Sequence, residues 1–357
     1  FAALFALVWF LVRFAGTRSA LDAAGAGLAA LGASLTRYEG WFLIPFAGVV
    51  VLWHGGPRRW RTAPLFLILA CLGPVYWLAH NWWCFGDALE FYRGPYSPMA
   101  IYAREEGLFP GRGDWMVSGL YLGKAVTWAA GWPLVVLASA GVAACALRRN
   151  AWAPLLLLAA PPLFYWWSMH SGGAKIYLPD LPPNSWYNTR YGLAALPLLA
   201  LSAAALPGMA PRWRRAAAAA VIAVACSAWI AYPRMESWIT WKESEVNSVA
   251  RRAWMKEGAG YLRANYSGGG IVTSFGDLAG VFRLAGIPLG ETLHEGNEPY
   301  WQGAMARPEL MLHEEWAVAM TGDAVSRAMR RSRPRYALVR RIAIPGARAV
   351  EIWRRGG

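Results

Sequence analysis

Residues 23–53 read AAGAGLAALGASLTRYEGWFLIPFAGVVVLW. A small-residue run closes near Ser34, and an apolar run rich in aromatic and β-branched residues opens at Trp41. Between them stand two opposite charges, Arg37 and Glu39. Gly and Ala let a helix pack closely against others in lipid. The second run has the composition of a spanning segment. The stretch therefore reads as two helices meeting at a membrane boundary, with an ion pair at the turn.

The rest of the chain extends this pattern. Of 357 residues, 57% are hydrophobic and 16% charged, and there are 22 Trp. That balance excludes an ordinary soluble globule and fits a polytopic membrane protein with a polar appendage. A span needs about 20 mainly apolar residues. Candidate spans fall at 1–12, 20–36, 40–54, 63–80, 129–147, 151–169, 190–207 and 216–232. The opening FAALFALVWFLV has neither a basic start nor a small-residue cleavage site, and reads as the remainder of a span cut by the start of the chain.

The net charge of +14 first reports topology and anionic lipid rather than nucleic acid. Arg13 and Arg18, Arg58 to Arg61, Arg148 and Arg149, and Arg212 to Arg215 occupy alternate short loops. One threading makes all four cytoplasmic. The turn at 36–40, the loops 81–128 and 170–189, and everything after 232 then face outward. Before residue 233, every carboxylate except Asp22 falls on that outer side.

Beyond residue 232 the composition turns polar. WKESEVNSVARRAWMKEGAGYLRANY reads as an amphipathic helix, and IVTSF, EEWAVAM, PRYALVRRIAI and ARAVEIWRR read as strands. FGDLAGVFRLAG and GDAVSRAMRRS read as helices between them. The expected architecture is an α-helical polytopic membrane domain over 1–232, followed by a small extracytoplasmic α/β domain over 233–357.

Three outer segments carry the chemistry. In SLTRYEGW, Arg37 suits bidentate phosphate recognition, Tyr38 is an interfacial ring, and Glu39 orients Arg37 or binds a substrate hydroxyl. In residues 80–115, Asp87, Glu90 and Arg93 lie three apart and share a face if helical, with Tyr96 just beyond. In residues 170–199, a Pro-rich loop with Lys175, Asp180 and Tyr187 becomes an apolar helix at Arg190 and Tyr191. A cation at a helix start opposes the dipole and calls for an anion: a phosphate, Glu39 or Asp180. An interfacial anchor is the plain alternative for each arginine. No HxxH or HExxH spacing supports a metal site, and GAGAGLAALG lacks the strand that a dinucleotide fingerprint requires. No cofactor is indicated.

SLTRYEGW after a small-residue helix, FGDALEFYRGPYS after a Trp-rich exit, and WYNTRYGLAALPLL after a Pro-rich loop resemble the GT-C-type membrane glycosyltransferases. The likeness covers roughly residues 18–207. It is greatest to bacterial members related to protein mannosyltransferases and to the lipid A aminoarabinose transferase. The resemblance implies a GT-C-like bundle in the cell membrane. It also implies a polyprenyl-phosphate-linked sugar as donor and a glycan, lipid or protein as acceptor on the outer face, the periplasm in a Gram-negative cell. It implies that basic residues such as Arg37 and Arg190 hold the donor phosphate. The family's acidic catalytic residue belongs to the first outer loop, which would precede residue 1. A transporter or flippase of lipid-linked glycans and a non-catalytic membrane assembly protein are the competing expectations. Charge gathered at one face, rather than mid-helix, favours the enzyme.

Overall fold

The computed structural model describes residues 1–95, 97–104, 109–146, 152–231 and 238–356. They form two compact units, Phe1–Glu243 and Ser244–Gly357.

The first unit is helical. It runs α1 (Ala2–Thr17), α2 (Ala20–Thr36), α3 (Glu39–His54), α4 (Arg59–Phe85), the short α5 (Glu90–Arg93) and α6 (Pro98–Arg104). Then come α7 (Trp115–Ala130), α8 (Trp132–Ala146), α9 (Trp152–Ser171), a 3₁₀ stretch Thr189–Ala195, α10 (Leu196–Ala205) and α11 (Arg214–Ala231). Among the described residues, three helical segments are long and apolar enough to cross a membrane: Gly56–Phe85, Thr189–Met209 and Pro211–Ala231. Helices α7 and α8 meet that standard as one pair bent by 108°. The segment Pro211–Ala231 buries none of its apolar window inside the protein, as a lipid-facing helix would. At this level the unit has the architecture of a helical membrane protein.

The small residues of α2 do what lipid packing demands. Ala23, Ala26 and Ala30 are fully buried against Phe14, Phe66 and Ala70 of α1 and α4. The turn between α2 and α3 is tighter still. A side chain at Gly40 would meet the backbone of Ala33 at 2.4 Å, so only glycine lets the two helices turn here.

The expected loop 81–128 is corrected in two places. Helix α4 continues to Phe85, and Trp115–Ala130 is a helix. Ser118, Gly119, Gly123, Lys124 and Thr127 dilute the hydropathy of α7, which hid its apolar face: Tyr121, Leu122 and Ala125 are buried. The loop 170–189 also has internal order, with Tyr177 and Tyr187 pairing as an antiparallel bridge. Tyr96, Arg148 and Arg149 lie outside the described residues.

The second unit is an α/β layer. Helix α12 (Ile239–Asn265) begins in the first unit and leads into β1 (Ile271–Thr273), α13 (Phe275–Ala285) and β2 (Thr292–Leu293). Then follow α14 (Tyr300–Ala306), α15 (Pro308–Met311), β3 (Trp316–Met320), α16 (Ala324–Arg331), β4 (Tyr336–Ile342) and β5 (Val350–Arg355). The sheet order is β2-β1-β3-β5-β4, with β1 parallel to β2 and β3, and β5 antiparallel to β3 and β4. Both faces are covered, as parallel pairs require. Trp316 and Val318 of β3 pack with Trp254 and Phe282 of α12 and α13. The alternate residues Ala317 and Ala319 pack with Val325 and Met329 of α16. Strand β2 is two residues long, and α14 and α15 are short, so none left a periodic signal in the sequence.

Candidate functional site

The start of α1, the turn between α2 and α3, the C-terminal half of α9 and the 3₁₀ stretch Thr189–Ala195 converge at one end of the first unit. They enclose a cavity of ≈ 550 Å³. Most of its wall is apolar, from Ala2, Leu4, Leu43, Pro161 and Leu193. The polar part is concentrated in Arg37, Glu39, Tyr165, Arg190 and Tyr191.

Local structure fixes each of these. Arg37 closes α2, with its backbone N–H donating to Ala33 O at 3.1 Å. Its side chain is held in a closed triad. Nε donates to Glu39 Oε1 at 2.8 Å, Nη2 donates to the Tyr165 hydroxyl, and that hydroxyl donates to Glu39 Oε1. The Glu39 side chain is only 13% exposed, whereas Arg37 is half exposed. The carboxylate thus sits behind the guanidinium and orients it. Tyr165 in turn stacks on Tyr191, with centroids 4.4 Å apart and planes 27° apart.

The ring of Tyr191 joins the two arginines. The guanidinium carbon of Arg37 lies 5.7 Å from its centroid and that of Arg190 lies 5.6 Å from it. The two cations can therefore be no further apart than the sum of those distances. Tyr191 faces both, which is favourable for cations near an aromatic quadrupole. Arg190 differs from Arg37 in one respect: among the described residues it forms no ion pair.

The anion expected at the helix start of Arg190 is present, but it is Glu243. Glu39 is engaged with Arg37, and Asp180 with Lys124 at 2.5 Å. Glu243, 9% exposed on α12, accepts from Asn188 N and Thr189 N at 2.8 Å each and from Thr189 Oγ1 at 2.5 Å. It satisfies the first free N–H groups of the 3₁₀ stretch and offsets its dipole. Asn188 makes the entry with φ 55°, a conformation that Asn tolerates. Gly192 then lies on α7, where a Cβ would meet the Ala125 backbone at 2.4 Å. These contacts set the position of Arg190 and Tyr191.

The twelve residues expected at the site separate into groups. Arg37, Glu39, Arg190 and Tyr191 share the cavity. Tyr38 stacks on Phe91 at 5.1 Å and accepts from Trp77 Nε1 at 3.2 Å. Burial raises its hydroxyl pKa, and the Trp77 bond partly offsets that. The expected shared helical face of Asp87, Glu90 and Arg93 is corrected. Only Glu90–Arg93 is helical, because Asp87 forms a turn in which Oδ1 accepts from Leu89 N at 2.9 Å. The same oxygen takes the Arg93 guanidinium at 2.7 Å. The Leu89 amide, then Arg93, hold the Asp87 carboxyl below its usual range. None of these lines the cavity.

Lys175 and Tyr187 belong to the bridged loop. The Lys175 ammonium lies 5.6 Å from the Tyr177 ring and 5.3 Å from the Tyr187 ring, and burial lowers its pKa. Asp180 is paired beside them. Two residues of the site escaped sequence reasoning: Tyr165, in the apolar run FYWW, and Glu243, among the charges of an amphipathic helix. Among the described residues, no group of three or more His, Cys, Asp or Glu could hold a metal ion.

In comparisons with known proteins, the chain matches no family, no curated protein and no solved structure.

Proposed function

We propose that this chain is a membrane glycosyltransferase that moves a sugar from a polyprenyl-phosphate donor to an acceptor at the outer face. The observation that carries the reading is the placing of Arg37 and Arg190 around one tyrosine ring, in the wall of a mostly apolar cavity. A lipid phosphate needs both parts: cations for the phosphate, and apolar wall for the first carbons of the lipid. The likeness of SLTRYEGW and WYNTRYGLAALPLL to GT-C-type enzymes points the same way.

In the reaction, the bond between the anomeric carbon and the phosphate oxygen breaks while an acceptor hydroxyl adds to that carbon. The departing phosphate keeps the electron pair, and preorganised cations stabilise it most where water is excluded. Arg190, without a carboxylate partner among the described residues, is the principal phosphate ligand. Arg37, held by Glu39 and Tyr165, is the oriented second donor. Glu39 is committed to Arg37 and Tyr165, so it supports the cation and is not assigned as the base that takes the acceptor proton.

A second reading draws on one observation. The same helices α1, α3 and α9 hold another cavity of ≈ 350 Å³ at their opposite ends, beside His54. Sites at both ends of one helix trio suit movement of a lipid-linked glycan between leaflets. Two assays on the full-length protein in proteoliposomes separate these. Sugar transfer from a polyprenyl-phosphate donor that is lost in Arg190→Ala and in Arg37→Ala supports the enzyme. Transfer unchanged in both variants removes the phosphate site. Donor translocation without transfer establishes the second reading.

A further inference from the structure

Helices α12 and α13 of the second unit enclose a groove of ≈ 640 Å³ distinct from the site above. Its floor is apolar, formed by Met255, Gly280 and Leu284, and its rim carries Arg252, Lys256 and Arg283. Among the described residues, no carboxylate lines it. The nearest acids in sequence are engaged elsewhere, Glu257 with Arg340 at 2.6 Å and Asp277 with Arg251 at 2.9 Å. Among the described residues, none of the three rim cations forms an ion pair.

The pattern extends along α12. Arg252 and Lys256 are one turn apart, and Arg263 continues the same face and donates to the Leu284 carbonyl. On the neighbouring turns Val246 and Val249 are exposed, and so is Leu284 on α13. Exposed apolar side chains beside uncompensated cations are the signature of a helix that lies against an anionic lipid surface. The first residue of the groove, Arg252, follows Glu243, the last residue of the first unit, by nine positions in the chain.

We infer that the groove between α12 and α13 binds the headgroup of an anionic phospholipid, with the cations on the phosphate and Met255 and Leu284 against the upper acyl carbons. This site is independent of the glycosyltransferase reading. The test uses the full-length protein with a photoreactive benzoyl-phenylalanine in place of Leu284, reconstituted in two kinds of vesicle. One is phosphatidylcholine alone, and the other contains about one quarter phosphatidylglycerol. Lipid adducts are read by mass spectrometry after illumination.

The expected result is at least about fivefold more lipid adduct in the anionic vesicles. That excess should be abolished by Arg252→Glu, Lys256→Glu and Arg283→Glu together. It should also collapse at about 1 M salt with the native cations in place, where the screening length is about 3 Å, so a folding defect in the triple variant leaves the test intact. Equal adduct in both vesicles, no adduct in either, an excess that survives both treatments, or adducts to polypeptide instead of lipid would each overturn the proposal.

Discussion

Arg37 and Arg190 approach the same tyrosine ring from two different local structures. Arg37 ends an α-helix and has its own carboxylate, Glu39, behind it. Arg190 starts a 3₁₀ stretch, and the carboxylate nearest that start, Glu243, is spent on backbone N–H groups and a hydroxyl. One cation is neutralised and aimed. The other is positioned and, among the described residues, has no ion pair. An anion entering the cavity therefore meets a net positive field that comes from Arg190 more than from the Arg37–Glu39 pair.

The largest expected effect is at Arg190. Removing a charged partner from an anion costs about 3 kcal/mol, roughly a hundredfold in affinity, so Arg190→Ala should weaken binding of a polyprenyl phosphate by that order in equilibrium titrations. Arg37→Ala should also be severe, because it leaves Glu39 uncompensated in the cavity wall. Adding Glu39→Gln to Arg37→Ala should then recover part of the binding, the part lost to the uncompensated carboxylate, while the missing second donor keeps the double variant below wild type. The comparison breaks if the double variant binds no better than Arg37→Ala alone.

An intermediate effect belongs to Glu243. Its buried carboxylate accepts three hydrogen bonds, and bonds to a charged acceptor are worth about 1.5–3 kcal/mol each at most. Glu243→Ala should lower stability by about 2 kcal/mol in thermal melts and weaken anion binding in parallel, since Arg190 and Tyr191 follow the helix start. Glu243→Gln, which keeps acceptor capacity, should recover part of both. Unchanged anion binding in a destabilised Glu243→Ala protein would separate capping from positioning.

The smallest effect is at Asp87, outside the cavity and partly exposed. Its folded pKa lies below the usual value. Its contribution is therefore complete above the ordinary Asp range near 3.9 and is lost as pH falls through the depressed value. Asp87→Asn should lower Tm by about a degree at most at neutral pH, and the gap to wild type should close on acidification. Donor binding should not change.

The arginines were legible in the sequence because a charge between apolar runs is costly and therefore conspicuous. The strands of the second unit were legible because alternation and Gly or Pro punctuation mark them. The partners were not. Tyr165 is 126 residues from Glu39, and Glu243 is 54 residues from Thr189, so only tertiary packing joins them. A phenol within FYWW carries no charge to draw notice, and Glu243 stands among solvated charges of an amphipathic helix. Helix α7 was hidden for a related reason: polar and small residues on its other faces lower its average hydropathy while one face stays buried.

The most direct test of the central claim compares a polyprenyl phosphate with the matching polyprenol, titrated against the full-length protein and against Arg190→Ala. If the cavity is an anion site built on Arg190, wild type prefers the phosphate by roughly a hundredfold and the variant loses most of that preference, keeping only what Arg37 supplies. A variant that keeps the full preference for the phosphate would contradict the account.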